Sequence, residues 1–136
     1  ERRQVAAIQA AAAVVLANVI VKAANLLFFR PRPFAENDVH LLFYRPTDST
    51  LPSNPAAVAF AFAAAVAVHE PRWGLAMAVL AVLFGAARVM AGVHYPLDIV
   101  TGALVGGAAA AIALRLPGLR WLAYRLITFA RRLLLA

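Results

Sequence analysis

Residues 73–116 read WGLAMAVLAVLFGAARVMAGVHYPLDIVTGALVGGAAAAIALRL. Two apolar runs lie in this stretch, Trp73 to about Ala91 and Leu97 to Leu116. Each approaches the roughly 20 residues that a helix needs to cross a bilayer. Gly92 suits the C-terminal cap of the first run and Pro96 the first turn of the second. Three ionisable residues interrupt the apolar character near the junction: Arg88, then His94 six residues later, then Asp98 four residues after that.

Toward the N-terminus, Val5 to Phe29 is a third long apolar run and Asn54 to Val68 a shorter one. A fifth segment, Leu119 to Leu135, is apolar but carries Arg120, Arg125, Arg131 and Arg132. Arg30-Pro31-Arg32-Pro33 stops the first helix, since proline has no N–H to continue the ladder. Ser53 is a good N-cap for the second, His69-Glu70-Pro71 makes a turn, and Pro117-Gly118 separates the last two segments. No alternation of the kind that a membrane β-barrel needs is found. The expected fold is all-α, a polytopic integral membrane helical bundle. Gly102, Gly106 and Ala110, with Gly107 beside them, place small residues where neighbouring backbones can approach in lipid.

Composition agrees. Of 136 residues, 64% are hydrophobic and 14% charged, against about 25% charged in a soluble domain. An ordinary water-soluble globule and a disordered chain are both disfavoured. Cysteine is lacking, which excludes disulfides, thiolate metal sites and cysteine nucleophiles. The net charge is +7. In so apolar a chain the partner for that charge is the membrane bilayer and its lipid phosphates rather than nucleic acid.

Alternating helices bring one set of ends to a common face: Asn25, Arg30, Arg32, the loop 34–51, Ser53, Arg88, His94 and Asp98. The opposite face carries Arg2, Arg3, Arg72, Arg115 and Arg120. Short arginine-rich loops stay cytoplasmic, so the polar cluster is expected outside, on a multi-pass plasma membrane protein. Singly, Arg88 could snorkel, Asp98 could serve the helix dipole and His94 could sit at the interface. Together at one membrane level they mark a site.

Arg88-x5-His94-x3-Asp98 resembles the third signature of the type-2 phosphatidate phosphatase superfamily. Leu51-Pro52-Ser53-Asn54 resembles the start of its second, Pro-Ser-x-His, and Asn25-x6-Arg32-Pro33 its first, Lys-x6-Arg-Pro. The Arg-Pro-Arg-Pro-Phe run resembles the undecaprenyl-diphosphatase branch, of the bacitracin-resistance type. The resemblance implies a single membrane phosphatase-like domain over 1–136, with helices at about 5–29, 54–68, 73–91, 97–116 and 119–135 and an outer loop at 30–52. Such proteins have six membrane helices, which places two more before Glu1.

The resemblance also implies roles. His94 would attack phosphorus and form a phosphohistidine. Asp98 would bond the other ring nitrogen and fix the tautomer. Arg88 and Arg32 would hold the phosphoryl oxygens, with Arg30 nearby and with Ser53, Asn54 and Asn25 as further phosphate-binding groups. No cofactor and no metal are called for. The substrate would be a lipid phosphate or diphosphate, an isoprenyl diphosphate first. Nothing in the pattern fixes an oligomeric state.

Three positions depart from the family pattern. Asn25 replaces lysine; Lys22, one turn earlier on roughly the same helix face, either substitutes for it or snorkels to the interface. Ala87 replaces a frequent serine. Pro55 replaces the histidine that would protonate the leaving group, and a proline transfers no proton. His40, in the outer loop, is either a substitute acid or a solvated loop residue; His69 belongs to the turn on the other face. The alternative to an enzyme is a catalytically degenerate relative that binds or transports a phosphorylated lipid. A small channel or transporter bundle accounts for the hydropathy but not for the polar cluster.

Overall fold

The computed structural model describes residues 2–39, 41–42 and 44–134. Their order is α1 (Arg2–Leu27), α2 (Pro33–Glu36), α3 (Asn54–His69), α4 (Pro71–Met90), α5 (Pro96–Arg115) and α6 (Pro117–Leu134), with no strand among the described residues. The chain is an all-α polytopic membrane bundle. Three helices are long and apolar enough to span a membrane, Arg3–Leu27, Pro71–Met90 and Pro96–Arg115.

Prolines set several boundaries that differ from the sequence expectation. Pro71, Pro96 and Pro117 each open a helix, because a fixed φ and a missing N–H cost nothing in a first turn. The breaks expected at Pro71 and at Pro117-Gly118 are therefore helix starts. α1 ends at Leu27 rather than Phe29. The chain beyond it turns to pair with the loop, Thr50 N–H donating to the Arg30 carbonyl at 3.0 Å. The four-residue α2 was not expected.

α3, 16 residues long, packs against α1, α4 and α5. The contacts are made by small residues: Ala10, Ala13 and Ala17 of α1, Ala57, Ala61 and Ala65 of α3, and Ala109, Ala110 and Ala113 of α5. Lipid offers no hydrophobic drive for helices to associate, so close backbone packing must hold them. A Cβ on Gly106 would stand 2.3 Å from the Ala57 carbonyl oxygen, and one on Gly102 2.6 Å from that of Ser53. These glycines thus press the start of α3 onto the first turns of α5. Large apolar side chains such as Leu80, Met90 and Leu104 point outward, as a lipid-facing surface requires. α6 buries Ala123 and Ile127 against Val5 of α1.

Candidate active site

His94 owes its place to the end of α4. Gly92 takes φ 73°, a conformation that a Cβ disfavours. Its N–H donates to the Val89 carbonyl at 3.0 Å, and the Val93 N–H to that of Arg88 at 3.3 Å. This pair of bonds is the Schellman closure of a helix. The chain then runs through buried Val93 and His94 to Tyr95, the N-cap of α5. Asp98, in the first turn, reaches back to accept from the Tyr95 N–H at 2.7 Å, which fixes its carboxylate.

The loop before α3 completes the cluster. Thr50, fully buried, donates its hydroxyl to Asp98 Oδ2 at 2.6 Å. A hydroxyl has one proton, so toward His94 Nδ1, at 3.0 Å, Thr50 acts as acceptor. The Thr50 carbonyl, 3.2 Å from the same nitrogen, can also only accept. Nδ1 therefore carries the ring proton. On the other side, Arg32 Nη1 stands 3.5 Å from Nε2 and can only donate. Ser53 Oγ, 3.3 Å from Nε2, already accepts from the Ala56 N–H at 3.4 Å, which leaves its proton for the ring. These partners assign a neutral imidazole with its lone pair on Nε2. Asp98 itself is 3.7 Å from Nδ1, beyond hydrogen-bond reach. The direct bond that the resemblance implied is thus replaced by one relayed through Thr50.

Two guanidiniums brace the cluster. Arg30 Nη1 donates to Asp98 Oδ1 at 3.0 Å, and the same side chain lies 4.4 Å above the Tyr95 ring. Arg32, 5% exposed, donates through Nη1 to the Val93 carbonyl at 2.9 Å, through Nε to the Asp48 carbonyl at 3.2 Å and through Nη2 to Asp48 Oδ1 at 2.7 Å. Its charge is thereby balanced by Asp48, as a buried cation requires. The Tyr95 phenol donates to Glu36 at 3.1 Å. Desolvation first, and that carboxylate second, hold its pKa above the usual value. Among the described residues, no group of His, Asp and Glu could hold a metal ion.

Of the residues singled out from sequence, His94, Asp98, Arg30, Arg32 and Ser53 come together in one hydrogen-bonded group. Asn54 bonds instead to Asn18 of α1, at 3.0 Å. Asn25 and Asn54, with Lys22 and Asp48, line a cavity of about 390 Å³. Arg88 lies in the last turn of α4 with its guanidinium 6.0 Å from the Phe84 ring. His69 is at the far end of α3, its Nε2 2.9 Å from Gln9 Oε1. Pro55 stands in the first turn of α3, and His40 lies outside the described residues. Thr50 and Asp48 were placed on this face only as part of the loop 34–51, without roles, and Asn18 escaped the sequence reading. For Asn18 a signal existed, since it shares a stripe with Lys22 and Asn25 at i, i+4 and i+7.

A family model described as the PAP2 superfamily matches residues 6–122. The chain belongs to this superfamily. Within it, the chain is 40% identical over 81 residues to the putative undecaprenyl-diphosphatase YbjG of Escherichia coli, covering 59% of this chain and 41% of that one. It is 33% identical over 81 residues to the undecaprenyl-diphosphatase BcrC of Bacillus subtilis, covering 60% and 42%. The chain thus matches about two fifths of the length of these relatives. Among solved structures it is similar to the crystal structure of Aquifex aeolicus LpxE, with a TM-score of 0.72 and 34% identity over 79% of this chain and 66% of that one.

Proposed function

We propose that this superfamily member is a lipid phosphatase that removes the terminal phosphate of an isoprenyl diphosphate through a phosphohistidine on His94. The observation that carries the reading is the assigned tautomer: a buried neutral imidazole, Nδ1–H held through Thr50 to Asp98, with the Nε2 lone pair turned toward Arg32 and Ser53. The names of the relatives, undecaprenyl-diphosphatases, support the substrate class.

In the first step His94 Nε2 attacks the terminal phosphorus. The N–P bond forms, the bridging P–O bond breaks, and the isoprenyl monophosphate leaves with the electron pair. The imidazole becomes cationic, and the Asp98 carboxylate, through Thr50, stabilises that charge. Arg32 and the Ser53 hydroxyl, which point at Nε2 at rest, transfer their donors to the phosphoryl oxygens as these approach. The N-terminus of α3 adds its dipole. Water then attacks the phosphohistidine and releases inorganic phosphate. Arg88, one turn before the His94 loop, is assigned to the phosphoryl oxygens as the family pattern implies.

Pro55 bears on the choice of substrate. A monophosphate ester expels an alkoxide, which needs a proton, whereas a diphosphate expels a phosphate that is a stable anion near neutral pH. A site without an acid at position 55 therefore favours the diphosphate. Pro55 also supports a second reading, a relative that binds phosphorylated lipid without turning it over. The excess of arginine at the opposite helix ends, Arg3, Arg72 and Arg115 among them, supports an active site on the outer membrane face.

Phosphate release by purified protein from farnesyl diphosphate and from phosphatidate tests the reading. Release from the diphosphate, with an acid-labile, base-stable phosphoryl adduct lost in His94→Ala, is expected. Tight binding of both lipids with no release from either would establish the second reading instead.

A further inference from the structure

A polar side chain on a membrane helix needs a reason, and α1 carries three on one stripe: Asn18, Lys22 and Asn25. They face the start of α3, where Asn54 donates to Asn18 Oδ1 at 3.0 Å. Between the two helices lies the cavity of about 390 Å³, lined by Lys22, Asn25, Asn54 and Asp48 and flanked by Val21 and Leu26. Asn25 Oδ1 and Asn54 Oδ1 are buried there with no hydrogen-bond partner. Buried amides normally find partners. Turned end for end, the Asn25 amide would present its NH2 to this space, whereas the Asn54 NH2 spends one hydrogen on Asn18 and keeps the other.

Two walls of the cavity lead to the attacking nitrogen. Asn54 follows Ser53, whose Oγ is 3.3 Å from His94 Nε2. Asp48 grips Arg32 at 2.7 Å, and Arg32 in turn stands 3.5 Å from Nε2. Asp48 has its charge committed to that arginine. Lys22, the single lysine of the chain, forms no salt bridge with an acidic side chain among the described residues. The cavity beside the nucleophile thus offers one uncommitted cation and two amides.

Resting on the phosphatase reading, we propose that Lys22, with the amides of Asn25 and Asn54, forms a subsite for the phosphate that is not transferred, so that the preferred ligand is a lipid diphosphate headgroup. The transferred phosphate occupies Arg32 and Ser53. The second phosphate lies toward α1, with Lys22 as counter-charge and the isoprenyl chain leaving past Leu26 into the bilayer. Lys22 is here a specificity residue and acts without contact to the reacting phosphorus.

The test compares wild type with Lys22→Met and Lys22→Arg in detergent. Binding of inorganic diphosphate and of orthophosphate is measured for each, together with kcat/KM on farnesyl diphosphate and farnesyl monophosphate. Loss of one charge-assisted contact should lower the diphosphate-to-orthophosphate affinity ratio about 10-fold or more in Lys22→Met, through KM rather than kcat, with Lys22→Arg restoring most of it. An unchanged ratio in Lys22→Met overturns the subsite, even where phosphate release continues and the phosphatase reading stands. A fallen ratio in a protein that releases no phosphate from any lipid keeps the subsite and removes the phosphatase reading. Tighter binding of farnesyl diphosphate than of inorganic diphosphate supports a lipid headgroup as the ligand; equal binding of the two overturns that assignment.

Discussion

His94 and Asp98 are joined by a third residue. Their nearest atoms, Nδ1 and Oδ2, are 3.7 Å apart, and the Thr50 hydroxyl bridges them at 3.0 Å and 2.6 Å. A hydrogen bond to a charged group is worth about 1.5–3 kcal/mol, and about 1.4 kcal/mol of barrier is tenfold in rate. Thr50→Val should therefore lower kcat by about 10- to 100-fold, while Thr50→Ser, which keeps the hydroxyl, retains most activity. Asp98→Asn should leave a small residue and His94→Ala none above background. Full turnover in Thr50→Val would show that the carboxylate reaches the ring by another route.

Arg32 uses three nitrogens in three directions, toward Asp48, Val93 and His94. An ammonium cannot reproduce that planar fork. Arg32→Lys is expected to reduce kcat/KM by about 10²- to 10³-fold, with a smaller effect on thermal stability. The measurement is steady-state phosphate release beside a melting curve of the same preparation. A loss of activity that merely tracks the melting temperature would assign Arg32 to folding alone.

Pro55→His restores a titratable group to the first turn of α3. Activity on phosphatidate should rise proportionally more than activity on farnesyl diphosphate, because the alkoxide leaving group gains more from a proton. Comparison of kcat/KM for both lipids in both proteins checks this. Equal handling of the two lipids by the protein with Pro55 would remove the leaving-group explanation.

Gly106 and Gly107 are neighbours with opposite surroundings. A Cβ at Gly106 meets the α3 backbone at 2.3 Å, whereas one at Gly107 meets nothing within 4 Å. Gly106→Val should destabilise the bundle by about 1–3 kcal/mol or more and disturb the site, since α3 carries Ser53. Gly107→Ala should be close to neutral. Thermal unfolding in detergent separates the two, and a similar shift for both would contradict the packing described.

The chain has no cysteine, so single cysteines report topology cleanly. Leu42 and Gly118 are exposed and lie on opposite ends of the bundle. On intact cells, an impermeant thiol reagent should label Leu42→Cys and spare Gly118→Cys. The reverse pattern would place the cluster in the cytoplasm.

The fold class, and the residue types that the polar cluster brings together, are legible in residue order alone. Apolar runs of membrane length, prolines between them and small residues on α5 are local or periodic features, and a helical bundle follows from them directly. The spacing of Arg88, His94 and Asp98 is likewise local, because Gly92 and Pro96 fix the short connection that carries them. The long-range partners are not legible there. Thr50 is 44 residues from His94, Asp98 is 68 from Arg30, and Asn54 is 36 from Asn18. Such partners depend on how closely α3 seats on α1 and α5, and no helical period records that distance. The same seating brings Thr50, three residues before the Ser53 cap of α3, between histidine and aspartate.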